Sequence, residues 1–269
     1  MNRRRFVATS TALAVSSAIA DSSLQSPTLI DCNSYIGHWP FRALPSPALV
    51  GCSERWISSF EAIFHNDLSA ANARTGLIAR ESNAKLRAVG EINLSLPAWR
   101  DDLERCVRDH AMRVLRVHPN YHSWSLASPE FVKLLQLVDD ERLVLQIVAQ
   151  MEDERTQPSL MEVAPVDLKP LGEALTKIPG ARVMVLNTNV AQISTSLRGT
   201  AVTLDTGMIE GVGGLENLLS SWPVEQVAFG SFTPLFYWES NYLKLKESLL
   251  SANQLDRITT KNALMLVDA

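Results

Sequence analysis

The segment LIDCNSYIGHWPF (29–41) puts polar residues where an apolar strand would carry hydrophobic ones. Asp31, Asn33 and Tyr35 are spaced two apart, so in a strand three hydrogen-bonding side chains share one face. A second set occurs in LRVHPNYHSW (115–124), where Arg116, His118 and Asn120 also share one parity. His118 is the natural acid–base candidate, because imidazole titrates near neutrality. Its alternative role is structural, in a turn before Pro119. Arg116 suits a bidentate clamp on a substrate carboxylate, or a deep ion pair with Asp31 or Asp205. The run MEDER (151–155) offers Asp153 and Arg155 to a pocket, with Glu152 and Glu154 toward solvent, or else pairs internally as a salt-bridged loop. Tyr121, His122 and Trp124 form either an aromatic rim or ordinary loop packing. Glu61 and His65, four residues apart, make a further carboxylate–imidazole couple.

Together these residues suit proton transfer on a small molecule. His118 and Asp153 are the catalytic candidates; Asn33, Tyr35, Arg116, Asn120, Arg155 and Asn187 would bind the substrate. No GxSxG motif and no evident cysteine–histidine pair supports a nucleophilic mechanism.

Positioning these groups requires strands that end together. Apolar β-rich runs recur at 28–35, 55–63, 86–94, 113–120, 143–150, 181–188, 200–207 and 226–233. Helical spacing fills 67–83, 98–110, 128–141 and 167–179, several opening on an Asp or Ser suited to an N-cap. Eight strands alternating with helices predict an α/β chain folded as one (β/α)8 TIM barrel over 25–269. A doubly wound sheet is less consistent, since no GxGxxG opens a helix. In such a barrel the chemistry belongs at the C-terminal strand ends. Glu91, Asn93, Asn187 and Asp205 are further polar residues at such ends. The run IEGVGG (209–214) lies where many barrels bind phosphate, although it matches no P-loop.

The order LIDCNSYIGHWPF, LRVHPNYHSW, MEDERTQP, FGSFTPLFYWES and TTKNALMLV resembles the amidohydrolase-related barrel family across most of the chain. That resemblance implies hydrolysis or decarboxylation of small molecules with one divalent metal. It also implies a His-x-His after the first-strand Asp, histidines on strands five and six, and an Asp on strand eight. Here Asn33 and Tyr35 stand at the first-strand positions, Val148 and Asn187 at the next two, and Phe232 at the last. Amide, phenol and hydrocarbon side chains are poor zinc ligands. The expectation is therefore no metal or other cofactor. The exception would be a divalent ion held by substitutes drawn from Asp31, Glu61, His65, His118 and Asp205. A hydrolase or lyase working without the family metal is one reading; a small-molecule-binding protein that lost the chemistry is the other.

Composition narrows the partners. With 46% hydrophobic and 20% charged residues, the 269-residue chain has a globular balance. Its first twenty residues carry Arg3, Arg4 and Arg5, an apolar stretch and the ending Ala18-Ile19-Ala20, in the order of a cleavable twin-arginine signal. Cleavage after Ala20 removes three of 25 basic residues and none of the 29 acidic ones, taking the net charge from −4 to −7. An acidic surface of that kind disfavours nucleic acid, and no 18-residue apolar run predicts a membrane span in the mature form. The expected place is periplasmic or otherwise extracytoplasmic. Cys32, Cys52 and Cys106 form no CxxC pair or disulfide framework.

Overall fold

The computed structural model describes residues 28–44, 51–83, 85–152, 155 and 157–268. The expected signal segment lies outside these residues, as does Asp153. Eight parallel strands follow one another in chain order: β1 (Ile30–Ile36), β2 (Glu54–Ser59), β3 (Leu86–Glu91), β4 (Val114–Val117), β5 (Val144–Val148), β6 (Arg182–Leu186), β7 (Thr203–Asp205) and β8 (Val227–Ala228). The segment after β8 returns to β1. Cys32 N donates to Phe229 O (2.9 Å), Phe232 N to Asn33 O (2.8 Å) and Tyr35 N to Thr233 O (2.8 Å). Those bonds join the two edges, and the result is the expected (β/α)8 barrel.

All eight predicted strands and all four predicted helices are present, the latter as α2 (Leu68–Glu81), α3 (Trp99–Arg108), α4 (Pro129–Asp140) and α5 (Lys169–Lys177). A four-residue α1 (Glu61–Phe64) precedes them. The capping expectation holds for two of the four. Asp67 accepts from Ala70 N at 3.0 Å and Ser128 from Phe131 N at 3.2 Å, each satisfying an amide the helix leaves unpaired. The caps of α3 and α5 are Ala98 and Leu168, which provide no side-chain bond.

Strand parity sorts the core into two layers. Leu115, Val117, Leu145, Ile147, Val183 and Val185 pack outward against Phe131, Leu134, Leu135 and Leu171 of the helices. The alternate residues Val114, Val144, Val148, Met184 and Leu186 face inward with Trp56, Val89 and Ala228. This inner parity carries Arg116 and Gln146, directly paired across β4 and β5, and Glu91, paired with Arg116 across β3 and β4. Period-two alternation thus delivers an apolar floor and a polar upper layer from the same strands. Among the described residues, no helix is long and apolar enough to cross a membrane.

Candidate active site

The site starts from an irregularity in β1. Its pairing with β2 shifts register between Asp31 and Ser34, so the expected single face of Asp31, Asn33 and Tyr35 is broken. Asn33 and Tyr35 enter the barrel near its C-terminal mouth. Asp31 does not join them. Its carboxylate accepts from Ser231 N (2.8 Å), Ser231 Oγ (2.6 Å) and Ser34 Oγ (2.8 Å), and pairs with Arg55 at 3.3 Å. Asp31 therefore fastens β1 to β2 and to the segment after β8; it is a closure residue.

Tyr35 leads into a chain of polar contacts. Its hydroxyl lies 3.0 Å from His118 Nε2, and His118 Nδ1 lies 3.0 Å from Glu91 Oε2. The latter contact is short enough for an ion pair, although the ring is not well aligned for a hydrogen bond. Ser58 Oγ donates to the other Glu91 oxygen. With Nδ1 protonated toward the carboxylate, Nε2 is left to accept from the tyrosine O–H. Burial pushes the Tyr35 phenol above its ordinary pKa, with the Arg116 charge pulling the other way, so it stays a proton donor at neutral pH. The phenol ring stacks on Phe60 at 4.8 Å, while the Arg116 guanidinium sits 4.5 Å from its centroid.

Arg116 is not paired with Asp31 or Asp205, the expected deep partners. It donates to Gln146 Oε1 (2.9 Å) and to the carbonyls of Ser34 (3.2 Å) and Cys32 (3.3 Å). The register shift in β1 turns those carbonyls toward it, and Gln146 is its cross-strand neighbour.

Across the mouth, Asn33 Nδ2 donates to Asn187 Oδ1 (2.7 Å) and Asp205 Oδ2 (2.8 Å), while Asn33 Oδ1 is buried with no partner. Asp205 also accepts from Asn187 N (2.8 Å) and Gly207 N (3.2 Å). Burial raises its carboxyl to about 6, with the Asn33 hydrogen bond opposing. The fit is close. A Cβ on Gly230 would stand 2.6 Å from Asp205 Oδ2, so only glycine fits there. Asn187 (φ 58°) and Phe232 (φ 57°) both occupy the left-handed region. Asn tolerates it; for Phe it costs about 1–3 kcal/mol, and such strain clusters at functional sites.

The remaining candidates lie elsewhere. β4 ends at Val117 and a turn follows Pro119, so Asn120 loses the parity of Arg116 and His118. Its side chain instead donates to Ala164 O in the loop after β5. Arg155 is exposed in that loop. Glu61 pairs with Arg74 at the surface and His65 is exposed, so their couple does not form. Glu152 is buried and pairs with Arg42 at 3.3 Å, linking the loops after β5 and β1 across the mouth. His122 lies beside His118, ring centroids 6.0 Å apart; burial lowers it to about 4, helped by the neighbouring His118.

Glu91, Ser58 and Gln146 complete the interior; the sequence placed Glu91 at a strand end without a partner or role, and gave Ser58 and Gln146 no place in the site. The signal for Glu91 was a charged residue on the same parity as Val89 in an otherwise apolar run. Its cross-strand pairing with Arg116 could not be read without the register.

These groups do not fit a divalent cation. The five substitute ligands do not converge, and among the described residues no group of three or more His, Cys, Asp or Glu side chains could hold a metal ion. At Asp205 the adjoining atom is the Asn33 amide nitrogen, a donor that would oppose a cation.

No protein-family model matches the sequence, and no curated protein does either. Solved structures do match. A 2,6-dihydroxybenzoate decarboxylase from Rhizobium superposes over 90% of this chain and 98% of its own, with TM-score 0.69 and 11% identity. The 5-carboxyvanillate decarboxylase from Sphingomonas paucimobilis covers 90% and 99%, with TM-score 0.69 and 10% identity. A dihydroxybenzoic acid decarboxylase from Polaromonas, solved with manganese and the inhibitor 2-nitroresorcinol, covers 90% and 97%, with TM-score 0.70 and 11% identity. At this identity the likeness is one of fold, the fold that the sequence resemblance implies.

Proposed function

We propose that this chain is an amidohydrolase-related hydrolase or lyase. Its substrate is a small anionic or ring-bearing molecule bound at the C-terminal mouth, and it works without the metal centre usual in that family. The observation that carries the reading is the Glu91–His118–Tyr35 chain at the ends of β3, β4 and β1. A carboxylate 3.0 Å behind the imidazole backs the ring on the side away from the tyrosine hydroxyl, the arrangement in which Nε2 can exchange a proton. Tyr35 O–H, hydrogen-bonded to Nε2, is the second proton-bearing group. Arg116, behind the phenol ring, supplies positive charge to the interior while its bonds hold it in place. The unpartnered Asn33 Oδ1 offers an acceptor to a ligand, with Asn187 fixing the amide's orientation. Barrels of this fold that act on dihydroxybenzoate and carboxyvanillate support an aromatic acid as the first substrate class to test.

The second reading, a binding protein, rests on Asn33, Tyr35, Val148, Asn187 and Phe232 standing where the family resemblance implies metal ligands. His118 is only 1% exposed, and Tyr35, Asn33, Arg116 and Asn187 are 0% exposed. A ligand reaches them only when the cover opens, including the Arg42–Glu152 link across the mouth. The test is a thermal-shift screen of ring-bearing carboxylates on chelator-treated protein, with every hit then assayed for products by mass spectrometry. Conversion with no stoichiometric metal supports the proposal. Hits that bind tightly and are never converted decide for the binder, and turnover that returns only on adding manganese removes the metal-free mechanism.

A further inference from the structure

A recess lies at the end of the barrel opposite the mouth. Its volume is about 390 Å³, and it opens where β2, β3 and β4 begin, between the last turn of α2 and the segment after α3. Its lining gathers basic side chains: Arg80 from α2, Arg87 from β3, and His110 and Arg113 from the segment between α3 and β4. Arg80 is exposed and the other three are half-buried, so a ligand arriving from solvent can touch them. Arg80 and His110 meet over Gly76: a Cβ built there would stand 3.5 Å from Arg80 Nη1 and 3.5 Å from His110 Cβ.

The balance of charge decides what the recess accepts. Among the described residues that line it, the one carboxylate is Glu54, and both of its oxygens are engaged. Oε1 accepts from Trp56 Nε1 (2.7 Å) and Arg87 Nε (2.8 Å), and Oε2 from Arg87 Nη2 (3.2 Å). Glu54 and Arg87 therefore cancel, which leaves Arg80 and Arg113. Arg113 donates Nη2 to Arg142 O at 2.9 Å, a carbonyl that cancels no charge. The C-terminal ends of α2 and α3 lie on this side and oppose the two arginines with about half a negative charge each. A surplus of about one positive charge remains, and protonation of His110 adds to it.

We infer that this recess binds a phosphate dianion, either free or as the monoester of a small molecule. Each guanidinium fork takes two acceptor oxygens. A carboxylate has only two, enough for Arg80 or Arg113 but not for both, whereas a phosphate has enough oxygens for the pair. Leu86 and Ala88, half-buried in the same lining, give an organic substituent apolar surface. The inference stands apart from the proposed reaction, because the recess is at the other end of the barrel and binding is read without turnover.

The full chain is titrated calorimetrically at low salt with inorganic phosphate, glycerol 3-phosphate and acetate. Saturable binding of a phosphate is expected, with acetate weaker by about ten-fold or more. Arg80→Gln and Arg113→Gln should each weaken the phosphate by about three- to ten-fold. Arg113 also holds Arg142 O, so the exposed Arg80 provides the variant least able to disturb the fold. Lys133→Gln removes the same charge from the surface of α4 and should leave the affinity unchanged. Tighter binding of glycerol 3-phosphate assigns an organic monoester, and tighter binding of inorganic phosphate assigns the free ion. The inference is overturned if neither phosphate binds saturably or if acetate binds as tightly. It is equally overturned if both arginine variants leave the affinity unchanged, or if Lys133→Gln lowers it as much as they do.

Discussion

Two buried groups at the mouth should give the protein opposite pH dependences in one window. Burial raises Asp205 to about 6, against about 3.9 in an unfolded chain. The folded state therefore holds its proton more tightly, and stability is full below pH 4 and declines as pH rises toward 6. At about 1.36 kcal/mol per unit, the decline is about 3 kcal/mol. His122 runs the other way. Its folded value is about 4 against about 6.5 unfolded, so stability is full above pH 6.5 and falls by about 3 kcal/mol as pH drops to 4. In the wild type the two slopes largely cancel. His122→Gln should unmask a stability that falls with rising pH, and Asp205→Asn one that rises. Urea midpoints at half-unit steps from pH 4 to 7, with m checked for constancy, measure both. The slopes are the readout, because Asp205→Asn also disturbs hydrogen bonds from Asn33 and Gly207 at every pH. If both variants run parallel to the wild type, the burial of these two groups is not what sets their titration, and the reasoning fails.

Arg116→Met removes a buried guanidinium, strips Gln146 Oε1 of its donor and leaves Glu91 beside an uncharged neighbour; a loss of about 3–5 kcal/mol is expected in chemical denaturation. A loss below about 1 kcal/mol would return Arg116 to the role of ligand clamp. Arg42→Ala cuts the link between the loops after β1 and β5; hydrogen exchange across 37–44 should quicken several-fold, with thermal stability little changed for so exposed a partner. Unaltered exchange would mean the link does not hold the cover. Replacing Arg3, Arg4 and Arg5 with Lys should leave precursor in the cytoplasm, as a twin-arginine signal requires, and unchanged processing would argue against export by that route.

The barrel was legible because its information is local. Period-two runs such as LVLQIVAQ and 3.6-period runs such as SPEFVKLLQLVDDE announce their own type, and their alternation fixes the class. Side-chain direction at the mouth was partly legible. Parity placed Arg116 and His118 inside correctly because β4 is regular up to Val117. It failed at Asp31, where the register shifts, and at Asn120, which lies past the strand end. Partners were the least legible. The contacts of Glu91 with His118 and of Asn33 with Asp205 join residues far apart in the chain, and they depend on strand register and barrel closure. A single sequence carries neither. The separation of Glu61 and His65 from the interior has a local origin: they lie on and just after the short helix α1, where Glu61 pairs with Arg74 and His65 is exposed.

The most direct test of the central claim is the turnover number of His118→Gln on a substrate found by the screen, with Asn33→Ala beside it. If His118 moves the proton, His118→Gln lowers kcat by about 10²–10⁴-fold. Asn33→Ala, which removes the Oδ1 acceptor offered to the ligand, a hydrogen bond worth about 0.5–1.5 kcal/mol, acts mainly on KM. Circular dichroism and thermal unfolding establish that both variants are folded. A folded His118→Gln protein that turns over its substrate at the wild-type rate would contradict the account.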